Sequence, residues 1–132
     1  MGQRSALIID DEPDVTTYLA AILNDAGWRV RTANTVDDGI ALAEQEAPDA
    51  VLLDMMMPER GGLSALIALR KNEGTSKVPV VIVSGIEETL TKDFADFKSF
   101  LGKFKHRQPD AFIDKPVDPE LLLQTLDKLT GA

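Results

Sequence analysis

Five polar residues stand at or just after the ends of short apolar runs, and together they have the chemistry to hold a phosphoryl group. They are Asp10, Asp11, Asp54, Ser84 and Lys115. Three carboxylates at one site repel each other, by about 4 kcal/mol per pair at roughly 4 Å and an effective dielectric constant near 20. Lys115 offsets part of this repulsion, and a hard cation with oxygen ligands, for which we expect Mg²⁺, offsets the rest. A metal ion, a lysine and a hydroxyl group stabilise phosphoryl transfer, and a carboxylate can serve as its nucleophile.

Composition excludes many other site chemistries. The chain of 132 residues has no cysteine and one histidine, His106. Disulfides, thiolate zinc sites and multi-histidine clusters are therefore excluded, and we interpret His106 as a solvated side chain. The length favours one domain over residues 1–132, with its core in about residues 5–130.

The charge distribution argues against two classes of partner. The formal net charge is −8, and residues 10–54 hold eleven acidic against two basic residues, whereas residues 90–107 carry a balance of +3. A chain with a pI near 4.5 is repelled by a phosphate backbone, so we expect no direct nucleic-acid binding. No apolar run approaches the roughly 20 residues of a membrane span, so we expect no membrane insertion and a cytoplasmic location.

The apolar pattern predicts alternating strands and helices. The predicted strands are 6–9, 28–33, 50–53, 78–83 and 111–113, and the predicted helices are 13–26, a segment from 36 that Pro48 ends, 63–71, 87–103 and 119–129. Either Asn34 or Thr35 can cap the second helix. This order predicts an α/β, (βα)₅ doubly wound, five-stranded parallel sheet. The ligand site of such a sheet lies beyond the carboxyl ends of its strands, where the strand order reverses.

The residues at the strand ends match a known family. The chain resembles the receiver domain of two-component response regulators over residues 5–130, which implies a CheY-like, flavodoxin-like fold. The similarity rests on four motifs and on Gly62 in the loop that follows the third strand. The motifs are Ile9-Asp10-Asp11-Glu12-Pro13, Leu53-Asp54-Met55-Met56-Met57-Pro58, Ser84-Gly85 and Lys115-Pro116.

The resemblance implies a role for each site residue. Asp54 is then the phosphoacceptor, and Mg²⁺ is held by Asp10, Asp11, Asp54 and the backbone carbonyl of Met56. Ser84 and Lys115 contact the phosphoryl oxygens, and Gly85 leaves room for the phosphoryl group and its donor. Ser84 and Phe112 occupy the switch positions, and Phe112 has no hydroxyl group, so its movement must act through packing alone.

The resemblance also implies the partners. A sensor histidine kinase or a histidine phosphotransfer protein donates the phosphoryl group, and an unknown downstream protein reads the face of the fourth helix, fifth strand and fifth helix. A homodimer through that face is a further alternative. The chain is then no conventional enzyme, since it catalyses only its own phosphorylation and dephosphorylation. Dephosphorylation is expected to be slow, because Met56 and Ile86 place apolar side chains where water must enter.

The segment between the fourth and fifth strands departs from the family pattern. Ser84 and Lys115 are 31 residues apart, about two and a half helical turns more than is usual. A stripe of five apolar residues in this segment favours packing on the sheet: Leu90, Phe94, Phe97, Leu101 and Phe104. Phe100 falls off the stripe among basic residues, which predicts an altered partner or dimer contact.

Other interpretations remain open from the sequence alone. Asp11 can be a simple cap of the first helix. A phosphorylation-independent interaction module, or pseudo-receiver, would keep this fold without accepting phosphate. A phosphatase of the haloacid dehalogenase type also uses an aspartate and Mg²⁺, but it needs a second aspartate two residues after the nucleophile, where this chain has Met56.

Overall fold

The computed structural model of the chain describes residues 3–54, 62–85 and 109–131. The predictions that concern Met56, Ile86, Phe100 and His106, together with the predicted helix over 87–103, lie outside the described residues. Within the described part of the chain, no helix is long and apolar enough to cross a membrane.

Five parallel strands form a single sheet in the order β2-β1-β3-β4-β5. The strands are β1 (Ser5–Ile9), β2 (Arg29–Ala33), β3 (Ala50–Asp54), β4 (Val80–Gly85) and β5 (Ala111–Lys115). The described helices are α1 (Pro13–Asp25), α2 (Val36–Gln45), α3 (Gly62–Lys71) and the C-terminal helix α4 (Pro119–Thr130). The strand order reverses at β1 and β3, as in flavodoxin-like folds. The predicted fold class is confirmed.

Helices cover both faces of the sheet and enclose two buried layers. On one face, α2 and α3 pack on alternate residues of the central strands, including Leu7, Ile9, Val51, Leu53 and Ile82. On the other face, α1 and α4 pack on Ala6, Ile8, Leu52, Val81 and Ile113. The central strands are therefore buried on both sides, which explains why they are continuous apolar runs in the sequence.

Three strands end further along the chain than predicted, and β3 is one of them because it includes Asp54. The predicted strand 78–83 is β4, which runs from Val80 to Gly85. Pro79 has no amide hydrogen to donate to the sheet, and the Val78 amide donates instead to the Thr75 carbonyl at 3.2 Å. β5 likewise extends to Lys115. Ser84 and Lys115 consequently lie within strands, where backbone pairing fixes them, rather than in loops after them.

Helix α2 approaches β1 closely. A Cβ atom added at Gly39 would stand 2.5 Å from Cδ1 of Ile9, so glycine permits this approach. Thr35 caps the helix, because its side chain accepts a hydrogen bond from the Asp38 amide at 3.1 Å. Of the two predicted caps, Thr35 is therefore correct and Asn34 is wrong. These contacts fix α2 against the end of β1, where Asp10 follows.

Candidate functional site

Strand register brings the predicted site residues to one edge of the sheet, which we call the carboxyl edge. Ile9 pairs with Leu53, so the residues that follow them, Asp10 and Asp54, are neighbours at the ends of β1 and β3. Gly85 pairs with Lys115 at the ends of β4 and β5. The edge thus combines acidic, hydroxyl and basic side chains at the point where the strand order reverses.

Lys115 bridges the two buried acids. Its Nζ atom lies 3.6 Å from Oδ2 of Asp10 and 3.6 Å from Oδ1 of Asp54. The side chains of Asp10 and Asp54 are only 2% and 1% exposed, whereas that of Lys115 is 20% exposed. One ammonium group therefore serves two carboxylates in surroundings that screen charge weakly.

Asp10 is incompletely compensated by the protein. Its Oδ1 atom accepts a hydrogen bond from the Glu12 amide at 2.9 Å, but Oδ2 has no hydrogen-bond donor among the described residues. Burial raises the pKa of Asp10 above its ordinary value, and this effect outweighs the lowering by the Glu12 amide and by Lys115. A buried carboxylate oxygen that is ion-paired with Lys115 but accepts no hydrogen bond among the described residues fits a site that binds an additional cation.

Three consecutive acids present oxygen atoms to that site. One carboxylate oxygen from each of Asp10, Asp11 and Glu12 can be chosen so that all lie within 4.8 Å of one another. Such oxygen ligands suit Mg²⁺. The interpretation of Asp11 as a helix cap is wrong, because the N-cap of α1 is Glu12 and no side chain caps this helix. The side chain of Asp11 is thus not committed to the helix.

A family comparison identifies this arrangement. The model described as "Response regulator receiver domain" matches residues 6–127. The chain belongs to this family. It is therefore a receiver domain of two-component signalling, with the fold and the strand-end residues that the sequence predicted.

Individual proteins agree with this assignment. Protein PilH of Pseudomonas aeruginosa is 37% identical over 121 residues, which are 92% of this chain and 93% of PilH. The chemotaxis protein CheY4 of Vibrio cholerae matches with a TM-score of 0.82 and 26% identity, over 97% of this chain and 99% of CheY4. The receiver domain of the sensor histidine kinase PA1611 of Pseudomonas aeruginosa has a similar fold, with a TM-score of 0.83, 23% identity and coverage of 99% of this chain and 100% of its own. That structure holds a magnesium ion in its active-site cleft.

The structure also locates the remaining predicted residues of the receiver site. Ser84 is 2% exposed and lies on β4, between the strands that end in Asp54 and Lys115. Among the described residues, a Cβ atom added at Gly85 would meet nothing within 4 Å. Phe112 pairs with Ile82 across β4 and β5 and is 45% exposed. Met56 is the one predicted metal ligand outside the described residues.

Two residues that adjoin this site were not predicted from the sequence. Glu12 belongs to the acidic group but was not among the predicted ligands. The side-chain amide of Asn34 donates to the Asp10 carbonyl at 2.8 Å, although the sequence suggested only a helix-capping role. A usable signal was the position of Asn34 directly after β2, because parallel neighbours bring that position beside the end of β1.

Proposed function

We propose that this receiver domain is a phosphorylation switch in which Asp54 accepts a phosphoryl group with the help of Mg²⁺. In this proposal Asp10, Asp11, Asp54 and the Met56 carbonyl hold the ion. The principal support is the shared lysine, whose Nζ atom lies 3.6 Å from an oxygen of each buried acid, together with the absence of a hydrogen bond to Oδ2 of Asp10 among the described residues. These acids match the ligand preferences of Mg²⁺.

The phosphoryl donor in this proposal is a phosphohistidine of a sensor histidine kinase or a phosphotransfer protein. A carboxylate oxygen of Asp54 forms a bond to phosphorus while the phosphorus–nitrogen bond of the donor breaks. The donor imidazole keeps the electron pair of that bond and takes up a proton from solvent. Asp54 then carries an acyl phosphate.

The surrounding groups act through charge and position. Mg²⁺, when bound, supplies positive charge to the phosphoryl oxygens. Lys115 offers a second cation, and Ser84 offers a hydroxyl donor from the strand between Asp54 and Lys115. Gly85 has no side chain, and no described residue would lie within 4 Å of a Cβ atom added there, so in this proposal it leaves room for the incoming donor. No residue needs to act as a strong base, because an ionised carboxylate is already a nucleophile.

The proposed response is a change on the face that contains β5 and α4. Phosphorylation draws Ser84 toward the phosphoryl group, and Phe112 moves into the vacated space. Phe112 is 45% exposed and Leu121 on α4 is 48% exposed, so both have apolar area to gain from burial. A downstream protein is the proposed reader of this face, and a homodimer is the alternative.

Intact mass after incubation with Mg²⁺ and acetyl phosphate tests the proposed function. The wild-type chain should gain one phosphoryl group, and Asp54→Ala should gain none. Asp114→Ala is the matched control, because Asp114 is an exposed aspartate on the same edge that has no role in the proposal. This variant should gain the group as the wild type does.

The outcomes separate the candidate functions. Addition that persists in Asp54→Ala would assign the phosphoacceptor to another residue and contradict the proposal. No addition to the wild type, although Mg²⁺ binds, would favour a phosphorylation-independent interaction module. Acetyl phosphate bypasses the kinase, so addition to the wild type would not depend on a protein partner.

A further inference from the structure

We infer that Asn34 is a positioning residue for the metal site: its side chain holds the peptide unit that joins Asp10 to Asp11. The inference rests on the proposed function, because it assigns to Asn34 a role in the binding of Mg²⁺. Asn34 itself is neither a metal ligand nor a catalytic residue in this assignment. It acts through the backbone of the two acids.

The hydrogen bonds at the end of β1 support this role. The Asp10 amide donates to the Ala33 carbonyl at 3.0 Å, which extends the ladder between β1 and β2 by one bond. In a continuing parallel ladder, a backbone amide further along β2 would donate to the Asp10 carbonyl. The chain instead turns into α2, and the Asn34 side chain supplies this donor at 2.8 Å.

The Asn34 backbone is anchored on both sides. Ala33, before it, is the last residue of β2, is 5% exposed and pairs with Ile9. Thr35, after it, caps α2 through the Asp38 amide at 3.1 Å. The side-chain amide therefore projects from a fixed point, so its hydrogen bond transmits a defined position to the Asp10 carbonyl.

This contact bears on the metal site because Asp11 follows the peptide unit that it holds. The side chain of Asp10 is already constrained, since Oδ1 accepts from the Glu12 amide at 2.9 Å. Rotation of the 10–11 peptide unit would redirect Asp11 away from the shared oxygen cluster. Residues that orient metal ligands typically change affinity by about 10-fold to 100-fold when they are removed.

Calorimetric titration of the unphosphorylated chain with Mg²⁺ tests the inference. Asn34→Ala should weaken Mg²⁺ binding about tenfold, and Asn34→Gln, which keeps the donor, should recover part of the affinity. Thr35→Ala is the matched control. It removes the cap of α2 and should lower the free energy of unfolding by about 1 kcal/mol, but it keeps the Asn34 donor and should bind Mg²⁺ like the wild type.

Phosphorylation by acetyl phosphate at increasing Mg²⁺ concentrations adds a second readout. Asn34→Ala should require about tenfold more Mg²⁺ for its half-maximal rate, while the rate at saturating Mg²⁺ stays close to that of the wild type. A loss of rate at saturation without a change in the Mg²⁺ requirement would overturn the positioning role. It would mean that Asn34 affects the chemical step instead.

The calorimetric results distinguish failure of the inference from failure of the proposed function. A wild-type chain that does not bind Mg²⁺ would overturn the proposed function and the inference with it. If the wild type binds Mg²⁺ and Asn34→Ala binds it with the same affinity, the inference is overturned and the proposed function stands. Equal weakening in Thr35→Ala and Asn34→Ala would also overturn it, because the effect would then come from α2 as a whole.

Discussion

At the edge where the strands begin, which we call the amino edge, aspartates are hydrogen-bonded by the protein itself. Oδ2 of Asp49 accepts from the Ser5 amide at 2.7 Å. Oδ2 of Asp110 accepts from the Val80 amide at 2.8 Å and from the guanidinium of Arg70 at 3.0 Å. Strand amides at this edge thus receive carboxylate acceptors, and the aspartates complete the sheet.

At the carboxyl edge, the aspartates differ in burial and in their hydrogen bonds. Asp10 and Asp54 are more deeply buried than the amino-edge acids, they share the ammonium group of Lys115, and one Asp10 oxygen has no donor among the described residues. Burial of a charged group without full compensation costs stability. The comparison indicates that the aspartates of the amino edge stabilise the sheet, whereas those of the carboxyl edge lower its stability, as expected if the edge holds the proposed Mg²⁺ site.

Removal of the Arg70 side chain should give the largest change in stability, and it acts at the amino edge. Its side chain is only 7% exposed and donates to the Val78 carbonyl at 2.6 Å as well as to Asp110. Arg70→Ala should lower the free energy of unfolding by about 2–3 kcal/mol, because the part-buried Val78 carbonyl and Asp110 lose a charged donor and the packing of a largely buried side chain is lost. Urea titration measures this loss. The free energy of unfolding of Arg70→Lys should lie between those of the wild type and Arg70→Ala, because lysine keeps the charge but lacks the planar guanidinium group.

The folded fraction of Arg70→Ala should still bind Mg²⁺ and accept a phosphoryl group, because Arg70 lies at the opposite edge from the site. A folded Arg70→Ala variant that no longer binds Mg²⁺ would contradict the separation of the two edges. Unchanged stability would contradict the role assigned to the amino edge.

Asp10→Asn should change the free energy of unfolding less than Arg70→Ala does, and it should raise it. The pKa of Asp10 is raised from 3.8 by burial, so the native state holds this proton more tightly than the unfolded chain does. Stability that the group contributes below pH 3.8 is therefore lost as the pH rises through the native pKa. Asparagine has no charge to bury, so without Mg²⁺ the variant should be more stable at neutral pH, by about 1 kcal/mol.

This difference should shrink as the pH falls through the range between the raised pKa and 3.8, since Asp10 then becomes neutral as well. Urea titrations at several pH values, without Mg²⁺, measure the effect. A variant that is less stable than the wild type at neutral pH would show that Asp10 is adequately compensated by Lys115 and the Glu12 amide.

Tyr18→Phe should change the free energy of unfolding least. It tests whether a hydrogen bond to the backbone at the carboxyl edge affects stability alone, whereas the carboxylates also affect Mg²⁺ binding. The Tyr18 hydroxyl donates to the Val117 carbonyl at 3.0 Å, two residues after Lys115. Its loss should cost about 0.5–1 kcal/mol in chemical unfolding and leave Mg²⁺ affinity unchanged. A marked loss of Mg²⁺ affinity would instead make this hydrogen bond part of the metal site.

The fold was predictable because its strands are buried on both faces. Continuous apolar runs such as residues 50–53 and amphipathic helices at regular spacing define the order of elements. Strand ends were less predictable. The extension of β5 to Lys115 depends on pairing with β4, which local sequence does not encode.

The types of the site residues were predictable, but their mutual contacts were not. Parallel strands place Asp10, Asp54 and Lys115 at one edge whatever their side-chain geometry. The contact of Asn34 with the Asp10 carbonyl depends on where β2 stops following β1, a detail of tertiary register. Local sequence therefore favoured helix capping for Asn34, and Thr35 performs that function in the structure.

Thermal unfolding of the wild type, Asp10→Asn and Asp49→Asn, each with and without Mg²⁺, tests the contrast between the edges most directly. Without Mg²⁺, Asp10→Asn should raise the midpoint temperature of unfolding. Asp49→Asn should lower it, because a charge-assisted hydrogen bond becomes a weaker neutral one. Mg²⁺ at about 100 times its dissociation constant should stabilise the wild type and Asp49→Asn by about 2.7 kcal/mol, and Asp10→Asn much less. Equal stabilisation of all three chains by Mg²⁺, or a lower midpoint for Asp10→Asn than for the wild type without it, would contradict the account.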